Sequence, residues 1–343
     1  MVGDHSIGSF THLADLASAR LGGRALAASD DFFASRSNLV TPTPATFVPG
    51  KFTARGKWMD GWESRRRRTP GHDWCVVALG LRGVVRGVDV DTSHFSGNHP
   101  SHCSLDGLDA GGSPRRGRAG VQRLSDLRAP WTPILAMSAL NGNRHNLFAI
   151  DAPVAWTHVR LNIFPDGGVA RLRVYGDARI DWARVKKDGR PIDLAAIVNG
   201  GLVLEASDMH FGAKDNLIMP GRAANMGDGW ETRRRRGPGH DWVVVRLGAP
   251  GIVRRIEIDT NHFKGNYPDR ASIDGCCSPG ADAATLSSAS WRALLPETPL
   301  RAHHRHFHSK ELAPIGPISH VRLNIFPDGG ISRLRVHGTV AAT

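Results

Sequence analysis

The chain repeats itself, and this constrains what it can fold into more than any other feature. Residues 59–80 read MDGWESRRRRTPGHDWCVVALG and residues 227–248 read GDGWETRRRRGPGHDWVVVRLG, matching at 17 of 22 positions with an offset of 168. DTSHFSGN from Asp91 pairs with DTNHFKGN from Asp259 at the same offset. HVRLNIFPDGG from His158 recurs in full from His320, now offset by 162, and RLRVYG and RLRVHG follow. SDDFF from Ser29 is echoed by SDMHF from Ser207. A chain of 343 residues therefore holds a tandem duplication of a unit of about 140–150 residues, with extra loop residues in the first copy. The expected organisation is a helical lead-in over 1–24, a first unit over 25–177, a polar linker over 178–199 (DARIDWARVKKDGRPID, from Asp177, runs through it) and a second unit over 200–340.

Each unit reads as strand. Val243–Leu247 is rich in β-branched residues, Gly248-Ala249-Pro250-Gly251 has the composition of a turn, and Ile252–Asp259 alternates, with Ile256 and Ile258 on one face and Arg255 and Glu257 on the other. Val321, Leu323 and Ile325 share a face before Pro327-Asp328-Gly329-Gly330. There the proline presets φ and the glycines accept positive φ, so a hairpin returning through Leu334 and Val336 is expected. Short strands separated by Gly/Pro-rich turns predict an all-β chain of two tandem antiparallel β-sandwiches. The spacing in Thr11–Leu21, ended by Gly22-Gly23, predicts one helix near the N-terminus.

Composition narrows the partners. Hydrophobic residues make up 41% of the chain, enough for a buried core. The net charge of +12 invites a nucleic-acid reading, but only 7 of the 44 cationic residues are lysine, the acidic residues are interspersed, and there is no basic tail. No nucleic-acid partner is expected. No run approaches the roughly 20 apolar residues of a membrane helix, so no membrane partner is expected either. The first residues lack a basic start followed by an apolar core, which argues against a secretory signal. Cys75, Cys103, Cys276 and Cys277 form neither a disulfide framework nor a zinc CxxC, and free thiols fit a cytoplasmic protein. Cys75, in an apolar strand opposite Val243 of the other copy, is expected in the core.

Three stretches carry chemistry. In extended chain, Arg65-Arg66-Arg67-Arg68 and Arg233–Arg236 alternate faces, so one pair of each set can meet carboxylates such as Glu63 and Asp73 while the other faces a ligand. A guanidinium fork suits a planar carboxylate or ureido group; a salt-bridged surface strand is the plainer alternative. His72-Asp73 and His240-Asp241 set an imidazole beside a carboxylate just before a strand, a natural acid–base pair or simply a turn packed by Trp74. His94 and Asn98, with His262 and Asn266, sit in a loop after a strand, where sites commonly lie. Trp62 and Trp230 read as core. His303-His304-Arg305-His306-Phe307-His308 resembles a metal cluster by spacing, but no acidic or Cys partner stands near and a loop is the better reading. No metal ligand set and no cofactor are expected, a divalent ion being left open. A glycine-rich phosphate loop, a GxSxG elbow and HExxH are absent.

Taken together, GWE[ST]RRRR, GHDW, DTxHFxGN and the paired RLNIFPDGGxxRLRV resemble the allantoicase (allantoate amidinohydrolase) family over nearly the whole chain, from Ala27 to Gly338. The resemblance implies two sandwiches of jelly-roll, galactose-binding-like type, assembled as a homo-oligomer, that hydrolyse allantoate to ureidoglycolate and urea in purine (allantoin) catabolism. Such a reaction needs a clamp for the substrate carboxylate and groups to move protons. Arg65, Arg68, Arg233 and Arg236, with His94, Asn98, His262 and Asn266, are then the candidate substrate-binding residues. Glu63, His72, Asp73, Glu231, His240 and Asp241 are the candidate catalytic ones. The rival from another class is a non-catalytic carbohydrate-binding tandem sandwich, for which 7% aromatic residues is a poor supply of stacking platforms.

Overall fold

In the computed structural model, which describes residues 10–111 and 130–341, one 19-residue strand organises each half of the chain. The chain divides into two units, Met1–Arg179 and Ile180–Thr343. In the first, the opening part of strand Asp73–Asp91 lies between Arg24–Ala28 and Ala155–Phe164, and its closing part between Arg171–Ala178 and His145–Ala149. Ala155–Phe164 pairs onward with His102–Leu108, which pairs with Thr132–Ala139. Every one of these pairings is antiparallel. The second unit repeats the plan: the opening part of Asp241–Asp259 lies between Leu202–Ala206 and Ile318–Phe326, its closing part between Arg333–Val340 and Arg305–His308, and Ile318–Phe326 pairs onward with Arg270–Cys276, which pairs with Arg292–Pro299. The all-β sandwich architecture is as the alternation predicts.

The cores are built by the expected faces. Val77, Leu79, Val88, Val90, Leu105, Val159, Leu161, Leu172 and Val174 are buried in the first unit; Val243, Val245, Ile256, Ile258, Val321, Leu323, Ile325, Leu334 and Val336 are buried in the second. Trp62 and Trp230 are fully buried, and each indole N–H donates to a backbone carbonyl, of Asp30 and Asp208, at 2.8 Å. Cys75 is buried and free, and burial pushes its thiol pKa far up.

Three local expectations are corrected. Gly248–Gly251 is not a turn: the strand runs through it with a shift in register. A Cβ on Gly248 would lie 1.8 Å from the Asn199 carbonyl oxygen, and one on Gly251 2.7 Å from that of Thr339. These glycines allow close backbone approach rather than reversal. The chain after Pro327-Asp328-Gly329-Gly330 does not form a hairpin either. Ile318–Phe326 and Arg333–Val340 pair with opposite parts of the same long strand, and between them Gly330–Ile331 pairs with Trp230–Glu231. The motif is a crossover, and both Phe164–Pro165 and Phe326–Pro327 are cis.

The expected N-terminal helix is replaced by a two-residue strand, Ala14–Asp15, and a 3-10 turn, Ala19–Leu21, closed by Gly22 at φ 97°. Leu16, Ala17 and Leu21 are buried, and the Asp15 carboxylate accepts the amide hydrogens of Ala17 and Val174. Strand pairing and burial override the helical spacing. Ile192–Asp193 and Ile197–Asn199 do the same in the second unit, where Asp193 accepts from Ala195 and Val336. DLASARLGG and DLAAIVNGG are thus a further stretch of the repeat. Within 178–199 the chain also forms a helix, Trp182–Asp188, capped by the Asp181 side chain and ended by Gly189 at φ 59°. Among the described residues no helix is long and apolar enough to cross a membrane.

Candidate active site

The repeated motifs meet in each unit. Trp62–Glu63 pairs with Gly168–Val169, so the GWE block lies against the end of FPDGG. The Ser64 amide donates to the Gly167 carbonyl at 3.2 Å, and the Arg67 amide donates to the Asp166 carboxylate at 2.8 Å. The Asp73 amide of the GHDW block donates to the Pro165 carbonyl at 3.1 Å. The Gly168 amide donates to the Asn98 carbonyl at 2.8 Å, which brings in the HFxGN loop. Phe95 of that loop lies beneath Gly168, where a Cβ would stand 2.0 Å from its ring.

At this meeting point Asn98 Nδ2 donates to Glu63 Oε1 at 2.7 Å. The second oxygen of Glu63 has no hydrogen-bond partner among the described residues. Burial raises the pKa of this carboxyl above its ordinary value, against the opposing influence of the Asn98 bond and Lys57. Glu63, His94 and Asn98 wall a cavity of about 400 Å³ together with Phe33 and Lys57. In the second unit Asn266 Nδ2 donates to Glu231 Oε1, and the cavity, about 620 Å³, is walled by Glu231, Asn266, Tyr267, Asp328 and Arg234. A half-buried carboxylic acid held by one amide and facing a cavity is suited to moving a proton.

The four arginines alternate as extended chain requires, and the structure shows which face is which. Arg65 forks onto Asp30 through Nε at 2.7 Å and Nη2 at 2.6 Å; Arg67 donates to Asp73 Oδ1 at 2.8 Å. Arg233 and Arg235 do the same with Asp208 and Asp241. Of the candidate clamp residues, Arg65 and Arg233 are therefore held by carboxylates, whereas Arg68 and Arg236 are exposed with no carboxylate partner among the described residues. Arg66 and Arg234, not singled out from sequence, are free in the same sense, and Arg234 lines the glutamate cavity. The alternation was the available signal; its phase follows only once Arg67 is seen on Asp73.

The remaining candidates lie around this centre in different states. Asp73 is 2% exposed and takes both Arg67 and the Ser29 hydroxyl, and Asp241 matches it with Arg235 and Ser207. His72 packs on Phe164 with ring centroids 4.6 Å apart, and His240 packs on Phe326 with Nε2 3.3 Å from Asn324 Oδ1. Neither histidine lines the glutamate cavities. His94, at φ 70°, has Nε2 3.2 Å from the Ala45 carbonyl, and His262, at φ 71°, has Nε2 3.0 Å from that of Ala223. The histidine run is not wholly a loop as expected, since Arg305–His308 is the strand paired with Ile256–Asp259, and its rings are engaged: His303 Nδ1 accepts from the His262 amide, and His306 Nε2 accepts from the Arg301 amide while Nδ1 lies 3.1 Å from the Ile258 carbonyl. Among the described residues no group of three or more His, Cys, Asp or Glu is arranged to hold a metal.

The architecture is shared with known proteins. A family model of the allantoicase repeat matches twice, over residues 14–179 and 192–341. The chain is 50% identical over 329 residues to probable allantoicase 1 of Burkholderia mallei, covering 95% of this chain and 94% of that protein. It is 50% identical over 341 residues to probable allantoicase of Pseudomonas paraeruginosa, covering 98% of both. The crystal structure of allantoicase from Saccharomyces cerevisiae superposes with a TM-score of 0.79 at 33% identity, over 97% of this chain and 95% of that one. The duplicated sandwich, the meeting of its motifs and these full-length similarities lead to one conclusion: the chain belongs to the allantoicase family.

Proposed function

We propose that the cavity walled by Glu63, His94 and Asn98, with its counterpart at Glu231, Asn266 and Arg234, is where the chain hydrolyses allantoate to ureidoglycolate and urea. The observation that carries this placement is the meeting of the GWE, HFxGN and FPDGG motifs at one carboxylic acid. Allantoate bears a carboxylate and two ureido groups on a single carbon. One C–N bond breaks with its electron pair going to nitrogen, which takes a proton and leaves as urea. Water oxygen bonds to the same carbon and gives up a proton. Glu63, with its raised pKa, supplies the first proton and as carboxylate accepts the second, so one group serves both steps; acid–base help of this kind is worth about 10²- to 10⁴-fold. Asn98 positions the glutamate, and the unpaired Arg234, in the wall of the second cavity, takes the substrate carboxylate in its fork; we assign the same role to Arg66, its counterpart by the repeat, with Lys57 the cation in the wall of the first cavity.

We place the reaction in the cytoplasm, in keeping with four free thiols, and in a homo-oligomer, which sedimentation velocity would measure. The carbohydrate-binding alternative gains no support, since Trp62 and Trp230 are buried rather than displayed. The test is urea release from allantoate by the purified protein, expected to be catalytic and saturable. Absence of urea release, with saturable binding of a sugar instead, would overturn the reading.

A further inference from the structure

The two units differ at one place that lies apart from the glutamate cavities. In the second unit a cavity of about 460 Å³ opens beside the closing part of strand Asp241–Asp259, with Arg222, Arg255, Arg305, Arg335 and His337 in its wall. The repeat gives the first-unit counterparts of these positions. Pro44 stands for Arg222, Gly87 for Arg255, His145 for Arg305 and Tyr175 for His337. In the first unit the surface is covered: Phe10 is buried over Gly87, where a Cβ would meet its ring at 2.5 Å, and its ring centroid lies 5.9 Å from that of Tyr175. The second copy has exchanged an aromatic plug for cations around an open space.

The arginine common to both units shows the consequence. Arg173 is saturated: Nη1 donates to the Thr41 carbonyl and Asp15, and Nη2 to the Pro42 and Thr43 carbonyls. Arg335 donates from Nη2 to the Met219 and Gly221 carbonyls, but its buried Nη1 has no hydrogen-bond partner among the described residues. The carboxylates in the wall are already matched: Glu257 is forked by Arg305, Asp193 lies 3.6 Å from Arg335, and Asp259 lies 3.6 Å from Arg222. Arg255, exposed and 5.9 Å over the Phe307 ring, has no carboxylate partner among the described residues. A buried guanidinium N–H with nothing to donate to, beside an unpaired arginine, calls for an acceptor carrying negative charge.

We propose that this cavity of the second unit binds a small oxyanion, of the carboxylate or phosphate class, at a site the first unit does not possess. Arg335 Nη1 and Arg255 hold the anion, and Arg222 adds charge at the mouth. The site is separate from the proposed hydrolytic cavities, so each can fail without the other.

Isothermal titration of the full chain with inorganic phosphate and, separately, with succinate, at ionic strength matched with sodium chloride, tests this. The two arms distinguish the anion class. The variants are Arg255→Gly combined with Arg222→Gln, both at exposed positions, and Arg66→Gln combined with Arg234→Gln as the control for anions held at the glutamate cavities. Thermal melts confirm that each is folded. The expected result is saturable binding of at least one anion that weakens by about 10-fold or more in the first variant, from loss of charge-assisted hydrogen bonds, and persists in the second. No saturable binding of either anion, or binding unchanged by Arg255→Gly/Arg222→Gln, would overturn the proposal.

Discussion

Adjacent arginines in one run have opposite fates here, because extended chain turns neighbours to opposite faces. Arg65 and Arg67 are structural cations; Arg66 and Arg68 are left for solvent or ligand. Replacing Arg66 and Arg234 with Lys keeps the charge but removes the fork, so KM for allantoate should rise roughly 10-fold or more with kcat much less affected; steady-state kinetics would show it. Buried histidines give a second residue-scale prediction. Burial lowers the pKa of His158 and His320 to about 4 from an ordinary 6.5. Both are neutral in the folded chain, so their contribution is complete above pH 6.5 and is lost as pH falls towards 4. Between pH 7 and 5 each should cost about 2 kcal/mol. His320→Gln should flatten the fall of Tm over that range; an unchanged slope would show that the buried imidazoles do not govern acid sensitivity. At this scale the sequence made Glu63 and Asn98 visible as separate candidates, but a contact across 35 positions has no local signature.

Between strands, glycine is what makes the site possible. Gly168 and Gly330 let the FPDGG segment cross directly over Phe95 and Phe263, and that crossing sets the Trp62–Glu63 and Trp230–Glu231 pairings. A Cβ on Gly330 would lie 1.9 Å from the Phe263 ring. Gly330→Ala should therefore destabilise by about 1–3 kcal/mol through overpacking. The loss should shrink when Phe263→Leu is made in the same chain, since residues in contact couple; equal losses in both backgrounds, in denaturant melts, would contradict the packing argument. The strands themselves were legible from alternation. The turn at Gly248–Gly251 and the hairpin at Pro327–Gly330 were not, because a glycine needed for close backbone approach and one needed for reversal are spelled the same way. Likewise the apolar spacing of Thr11–Leu21 fits a helix, and only its pairing with Arg171–Ala178 decides otherwise.

Over the whole molecule, duplication preserved the glutamate centre and released other positions. Glu63 with Asn98 and Glu231 with Asn266 repeat the same contact, while the surfaces around Gly87 and Arg255 have diverged into a plug and a charged cavity. The internal repeat made the two-unit plan readable from sequence; which copy carries which site was not, since both keep every motif. The central claim is that the paired glutamates move the protons of allantoate cleavage. The most direct test is kcat for urea release by Glu63→Gln, Glu231→Gln and the double variant, each checked for an unchanged far-ultraviolet spectrum. The account predicts a loss of about 10²-fold or more in the double variant, with the single variants dividing the activity between the two units. A folded double variant that releases urea at the wild-type rate would contradict it.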